Sequence, residues 1–125
     1  MSKRILVVDD DEMNLKMAEF ILKQDGYQVH KAESGMECLL FLKDETVDLV
    51  LLDVEMPIMS GIQTLEIIKS NVELANIPVI FLTAAADADT VIEAGKLGAN
   101  DYVTKPFIPQ DLLGRVDKVL YNRKF

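Results

Sequence analysis

The chain has 125 residues, half of them hydrophobic, enough to bury one substantial core and to fold alone. Its formal net charge of −8 works against nonspecific attraction to nucleic acid or anionic lipid, both of which need basic surface. Its one cysteine, Cys38, excludes an internal disulfide or a cysteine zinc site, and no apolar run approaches the roughly 20 residues of a bilayer span.

Met-Ser-Lys-Arg passes directly into an apolar run instead of a signal-peptide core, so a cytoplasmic location is expected. Short apolar runs then alternate with stretches of helical period, the pattern of βα units around a parallel sheet. A first strand is expected from Arg4 to Val8, ending at Asp9, Asp10, Asp11 and Glu12. A helix follows, capped by Asp11, carrying Met13, Met17, Phe20 and Ile21 at helical spacing and stopped by Asp25-Gly26. The second strand runs from Gln28 to Ala32 and holds the only histidine, His30, which reads as a packing or surface residue.

Ser34 caps a second helix from about Gly35 to Lys43, in which Cys38 reads as a small core residue. The third strand spans Leu49 to Leu52, with Asp53 after it and a third helix from about Ile62 to Ser70. The fourth, Val79 to Leu82, is followed by Thr83 and by a helix that begins near Asp87 and is ended by Gly98. The fifth, Asp101 to Val103, precedes Lys105 and Pro106, and a last helix after Pro109 carries Leu112, Leu113, Val116, Val119 and Leu120 on one face. The first, third and fourth strands lack polar alternation, as central parallel strands do. Met13, Met17, Met36, Met56 and Met59 read as core or loop filling. With no repeat, low-complexity tract or linker, residues 1–125 are expected to form one domain, with no output domain in this chain.

In an open parallel α/β sheet, ligands bind at the carboxyl ends of the strands, near the point where strand order reverses. Asp9 and Asp10, Asp53, Thr83 and Lys105 fall at four of the five strand ends. Crowded carboxylates repel, and a bound divalent cation offsets that repulsion; Mg²⁺, a hard ion that takes oxygen ligands, suits Asp9, Asp10 and Asp53. Beside such a metal Asp53 can act as a nucleophile and form an aspartyl phosphate. The Lys105 ammonium and the Thr83 hydroxyl are suited to the charge that develops on the transferred group. Helix-dipole acidity accounts for Asp11 and Glu12 without a site, but not for Asp53 or Lys105.

With strand ends reading VVDDD, LLDVEMPIMSG, FLTAA and DYVTKPF, the chain resembles the response-regulator receiver domain of two-component signalling, in its chemotaxis-regulator-like form, over essentially its whole length. The resemblance implies a flavodoxin-like doubly wound (βα)5 fold, with a five-stranded parallel sheet in the order 2-1-3-4-5. It implies phosphorylation of Asp53 by a sensor histidine kinase or a phosphotransfer protein. Mg²⁺, or Mn²⁺ in its place, would be held by Asp10, Asp53 and the backbone carbonyl of Glu55, with Asp9 reached through water. Lys105 would pair with the phosphoryl group, its bond to Pro106 cis; Thr83 would shift toward the phosphoryl oxygens and Tyr102 turn inward behind it. Helix four, strand five and helix five would meet a downstream protein, with no direct contact to nucleic acid or membrane.

Asp101 and Arg115 lie where transcription-factor receivers dimerise, so a monomer that pairs on phosphorylation is one option. The loop after Asp53 departs from the family, with Ser60 where Asp is common, and Glu55 and Ala85 occupy positions that tune phosphoryl lifetime. Two other functions fit parts of the pattern. Asp9-x-Asp11 is superficially the nucleophile motif of a haloacid-dehalogenase-like phosphohydrolase, although Met13 stands where that family needs Thr or Val. A phosphorylation-independent binding module on the same fold is the third reading, and the intact set Asp9, Asp10, Asp53, Thr83 and Lys105 argues against it.

Overall fold

The apolar runs and helical stretches fold into five βα units in the computed structural model, which describes residues 2–84 and 88–121. In chain order these are β1 (Arg4–Val8), α1 (Glu12–Gln24), β2 (Gln28–Ala32), α2 (Gly35–Asp44), β3 (Leu49–Asp53), α3 (Gly61–Ser70), β4 (Val79–Thr83), α4 (Ala88–Lys96), β5 (Asp101–Thr104) and α5 (Pro109–Tyr121). All strand pairs are parallel, and the sheet runs β2-β1-β3-β4-β5. Strand order reverses between β1 and β3, which opens a crevice at their carboxyl ends.

Side chains alternate across the strands, so each strand feeds two cores. Ile5, Val7, Leu49, Leu51, Ile80 and Leu82 pack under Leu15, Ala18 and Leu22 of α1 and Leu112 and Val116 of α5. Leu6, Val8, Val50, Leu52 and Phe81 pack under Cys38 and Leu42 of α2, Leu65 and Ile68 of α3 and Ala94 of α4. Helices thus cover both faces, which is why Ile5–Val8, Leu49–Leu52 and Val79–Leu82 are unbroken by polar residues.

Local chemistry sets the boundaries. The Met13 N–H donates to Asp11 Oδ1 (2.9 Å) at the start of α1, and the Glu37 N–H to Ser34 Oγ (3.0 Å) at the start of α2. Ser60 and Gln63 form a reciprocal capping box on α3. Gly26 and Gly98, at φ +89° and +104°, follow α1 and α4 in a backbone region that L side chains rarely adopt. Pro109 opens α5, where a missing N–H costs nothing.

Three expectations need correction. The strands β3, β4 and β5 each run one residue further than expected, because the ladder continues with Val54 N–H to Leu82 O (3.0 Å) and Lys105 N–H to Thr83 O (2.8 Å). Asp53 and Thr83 are therefore the last residues of their strands instead of the first after them. Of the stripe expected on α1, Ile21 is buried but Met13, Met17 and Phe20 are exposed, and Leu15, Ala18 and Leu22 join Ile21 against the core. That helix carries apolar residues on two faces, and a 3.6-residue period alone does not choose between them. Met36 is likewise exposed, whereas Met56 is buried and Met59 half-buried. The expected start of α4 at Asp87 lies outside the described residues.

Candidate functional site

Four strand ends converge on one cleft. Asp9 and Asp53 leave β1 and β3 one step beyond the paired residues Val8 and Leu52, so the two carboxylates stand side by side on neighbouring strands. Both are buried, Asp9 at 0% exposure and Asp53 at 4%, while Asp10 turns to solvent. Carboxylate oxygens of Asp9, Asp10 and Asp53 lie within 4.8 Å of one another. Lys105, carried past the end of β5, sets its Nζ 2.8 Å from Asp9 Oδ2 and 3.1 Å from Asp53 Oδ1. The peptide bond from Lys105 to Pro106 is cis. Together with Asp11, Asn14, Val54, Glu55, Thr83 and Ala84, these residues line a cleft of about 230 Å³.

Each buried oxygen has an identifiable partner or lacks one. The Asp11 N–H donates to Asp9 Oδ1 (2.9 Å), and the Glu55 N–H donates to Asp53 Oδ1 (3.3 Å). Asp9 Oδ2 has the Lys105 ammonium beside it as an ion pair, yet no aligned hydrogen bond reaches this fully buried atom. A buried carboxylate oxygen in that condition retains capacity for a further donor or a cation.

The electrostatics follow from the same crowding. Burial, and then the Asp9 charge beside it, push the Asp53 carboxyl up to about 7, against the pull of Lys105. Burial works to lower the Lys105 ammonium, but its contacts with Asp9 and Asp53 outweigh that and hold it above its ordinary value. A buried carboxylate oriented by an ammonium and flanked by two more acids has the setting in which a carboxylate can act as a nucleophile or a metal ligand.

The remaining candidates are placed as follows. Thr83 lines the cleft from the end of β4. Glu55 is on its rim, with its N–H turned to Asp53. Tyr102 is outside it: half-buried on the edge strand β5, it packs toward the α2, α3 and α4 face, with the Arg115 guanidinium 5.2 Å from its ring centre. Arg115 is engaged within the chain, its Nη1 2.7 Å from Asp101 Oδ1 and its Nε 2.9 Å from Asp111 Oδ1. His30 lies on the other edge strand, β2, its ring centre 5.0 Å from that of Phe41 and its Nε2 3.2 Å from Arg4 Nη2. Cys38 is fully buried in the core.

The sequence reading overlooked Gly61. A Cβ there would meet the Asp53 carbonyl oxygen at 2.1 Å, so α3 begins in direct contact with the backbone of the central acid. The available signal was glycine at the first helical position, where most residues form helix better.

Comparison with known proteins agrees with this geometry. The profile of the response regulator receiver domain family matches residues 5–117. Among curated proteins, the phosphate regulon transcriptional regulatory protein PhoB of Klebsiella pneumoniae is 37% identical over 120 residues, covering 96% of this chain and 52% of that protein. The transcriptional regulatory protein GltR of Pseudomonas aeruginosa is 39% identical over 124 residues, 98% of this chain and 51% of its own length. The chain thus spans about half the length of these relatives. Among solved structures, the chemotaxis response regulator CheY4 of Vibrio cholerae superposes with a TM-score of 0.90 at 28% identity, covering 96% of this chain and all of that one. A CheY-like response regulator receiver domain protein of Methanospirillum hungatei gives 0.89 at 32% identity, over 98% of this chain and 96% of its own. A profile match over most of the chain, relatives above one-third identity and a shared five-stranded fold lead to one conclusion: this chain belongs to the response regulator receiver domain family.

Proposed function

We propose that Asp53 accepts a phosphoryl group from a phosphohistidine of a sensor histidine kinase or phosphotransfer protein, and that the modified chain signals through the surface of α4, β5 and α5. The observation that carries this reading is the Lys105 ammonium bridging two buried carboxylates, 2.8 Å from Asp9 and 3.1 Å from Asp53, at the switch point of the sheet. With Asp53 Oδ1 turned to Lys105 and the Glu55 N–H, Oδ2 is the oxygen that attacks phosphorus. As the new P–O bond forms, the P–N bond to the donor imidazole breaks, and the departing nitrogen takes a proton from solvent. Lys105 then pairs with a phosphoryl oxygen, and the Thr83 hydroxyl donates to another.

The all-oxygen set of Asp9, Asp10, Asp53 and the Glu55 backbone carbonyl fits Mg²⁺ or Mn²⁺, and the fully buried Asp9 Oδ2, held by an ion pair without an aligned hydrogen bond, supports that fit. A bound divalent ion would supply positive charge to the equatorial phosphoryl oxygens. Asp9 itself is a poor nucleophile candidate, since it is fully buried and its Oδ1 accepts the Asp11 N–H. In this reading the chain is modified once per signal and is not a turnover enzyme. It acts in the cytoplasm as a monomer, with Tyr102 and Thr83 as its switch residues; among the described residues no helix is long and apolar enough to cross a membrane.

Incubation with Mg²⁺ and a small acyl phosphate, followed by peptide mass mapping, tests the proposal. A labile phosphoryl adduct is expected on Asp53 and absent from Asp53→Asn. An adduct on Asp9 would point to a phosphohydrolase instead, and no adduct on folded protein to a binding module.

A further inference from the structure

We infer that Gly61 is a positioning residue for the chemistry at Asp53, its missing side chain being what lets α3 fix the backbone of the phosphoacceptor. This rests on the phosphoacceptor reading above. A Cβ at 61 would fall 2.1 Å from the Asp53 carbonyl oxygen and 2.9 Å from both the Asp53 carbonyl carbon and the Val54 Cα. Gly61 is not among the residues with positive φ, so the constraint is one of space and not of backbone conformation. Its N–H donates to Val54 O at 2.8 Å, and the Val54 N–H donates to Leu82 O at 3.0 Å.

Val54, the residue after Asp53, is therefore held at both its amides, its N–H by the sheet and its carbonyl by the first turn of α3, while Gly61 Cα sits against the Asp53 carbonyl. That backbone sets where Asp53 projects its carboxylate and where Glu55 presents its N–H, 3.3 Å from Asp53 Oδ1. The Asp53 carboxylate is the proposed phosphoacceptor and metal ligand, and the Glu55 N–H orients it. A methyl at 61 presses on backbone, which cannot swing aside as a side-chain end does.

A second glycine supplies the contrast. A Cβ at Gly35 would come within 2.3 Å of Thr64 Oγ1 and 2.9 Å of Met59 Sδ. The crowding is similar in extent, but it falls on side-chain ends between α2 and α3 and not on the Asp53 peptide. Gly35→Ala is thus a control for crowding away from the Asp53 backbone.

Phosphorylation by acetyl phosphate is followed against Mg²⁺ concentration for the wild-type chain and both variants, at a temperature where circular dichroism shows each folded. The rise in Tm on adding Mg²⁺ gives a reading independent of the reaction. Gly61→Ala is expected to lose about tenfold or more of the maximal rate, in keeping with the cost of displacing a reacting group by an ångström or less. Its Tm response is expected to move to higher Mg²⁺. Gly35→Ala keeps the maximal rate and the Mg²⁺ response while losing Tm. Wild-type behaviour in Gly61→Ala, or an equal loss in both variants, overturns the positioning role and leaves Asp53 as phosphoacceptor. A wild-type chain that forms no adduct overturns both. If Gly61→Ala does not fold, Ser60→Ala/Gln63→Ala carries the test, since it unpins the first turn of α3 without adding an atom near Asp53. A rate below that of Gly35→Ala supports the role, and an unchanged rate overturns it.

Discussion

The burial that the proposed phosphoacceptor role asks of Asp53 is costly to the fold. The folded value of the Asp53 carboxyl, about 7, exceeds the roughly 3.9 of an unfolded aspartate, so the folded chain holds a proton that the unfolded chain has released. For an acid raised in this way, stability falls as pH climbs from about 4 to about 7 and levels off above that window. Asp53→Asn removes the dependence. In metal-free buffer the variant is expected to be more stable than the parent by about 1–2 kcal/mol at pH 8, with the gap closing toward pH 4; thermal melts at the two pH values check this. Ile58 carries a separate cost. It is β-branched, fully solvent-exposed, and held at φ +70° in the loop after Asp53. Asn tolerates that conformation far better, so Ile58→Asn is expected to stabilise the chain by about 0.5–1 kcal/mol, measured by denaturant unfolding.

At the scale of elements, α3 depends on its first turn. The Ser60 and Gln63 capping box satisfies two backbone donors at once, at 3.1 Å and 2.9 Å. Ser60→Ala is expected to cost about 1 kcal/mol, and Ser60→Asp, which can accept the same bond, to change stability by less than about 0.5 kcal/mol; melting temperatures separate the two. Elements are also where the sequence spoke most clearly. Strand and helix order was legible because parallel strands covered on both sides must read as unbroken apolar runs, as Ile5–Val8 and Leu49–Leu52 do. The phase of α1 was not legible, since Met13, Met17 and Phe20 form as good a stripe as Leu15, Ala18 and Leu22; only the tertiary arrangement decides which is covered. The acids of the site were legible because charge at the end of a core strand is expensive and asks for a reason. Gly61 was not, because the contact that requires it is with a residue eight positions earlier, and a glycine at the start of a helix does not say what it touches.

For the whole molecule, the proposed cation site at Asp9, Asp10 and Asp53 would make stability a function of divalent cation. A ligand that binds only the folded chain adds about 1.4 kcal/mol for each tenfold rise in its concentration above Kd. Thermal melts in Mg²⁺ against chelator are therefore expected to shift upward with concentration, and Asp10→Asn, which removes the exposed member of the set, to need more Mg²⁺ for the same shift.

The strand order has a last consequence, for the route a signal takes. Asp53 ends β3, Thr83 ends β4, and Tyr102 lies on β5, the next strand out. At about 4.8 Å between neighbouring strands, the distance from the acid's strand to the tyrosine's is only about 10 Å, crossed sideways through the hydrogen-bonded ladder. Under the proposed function the message has a short path along the weft of the sheet, from its enclosed interior strands to an open selvedge. What is rigid holds the chemistry, and what is peripheral can be read.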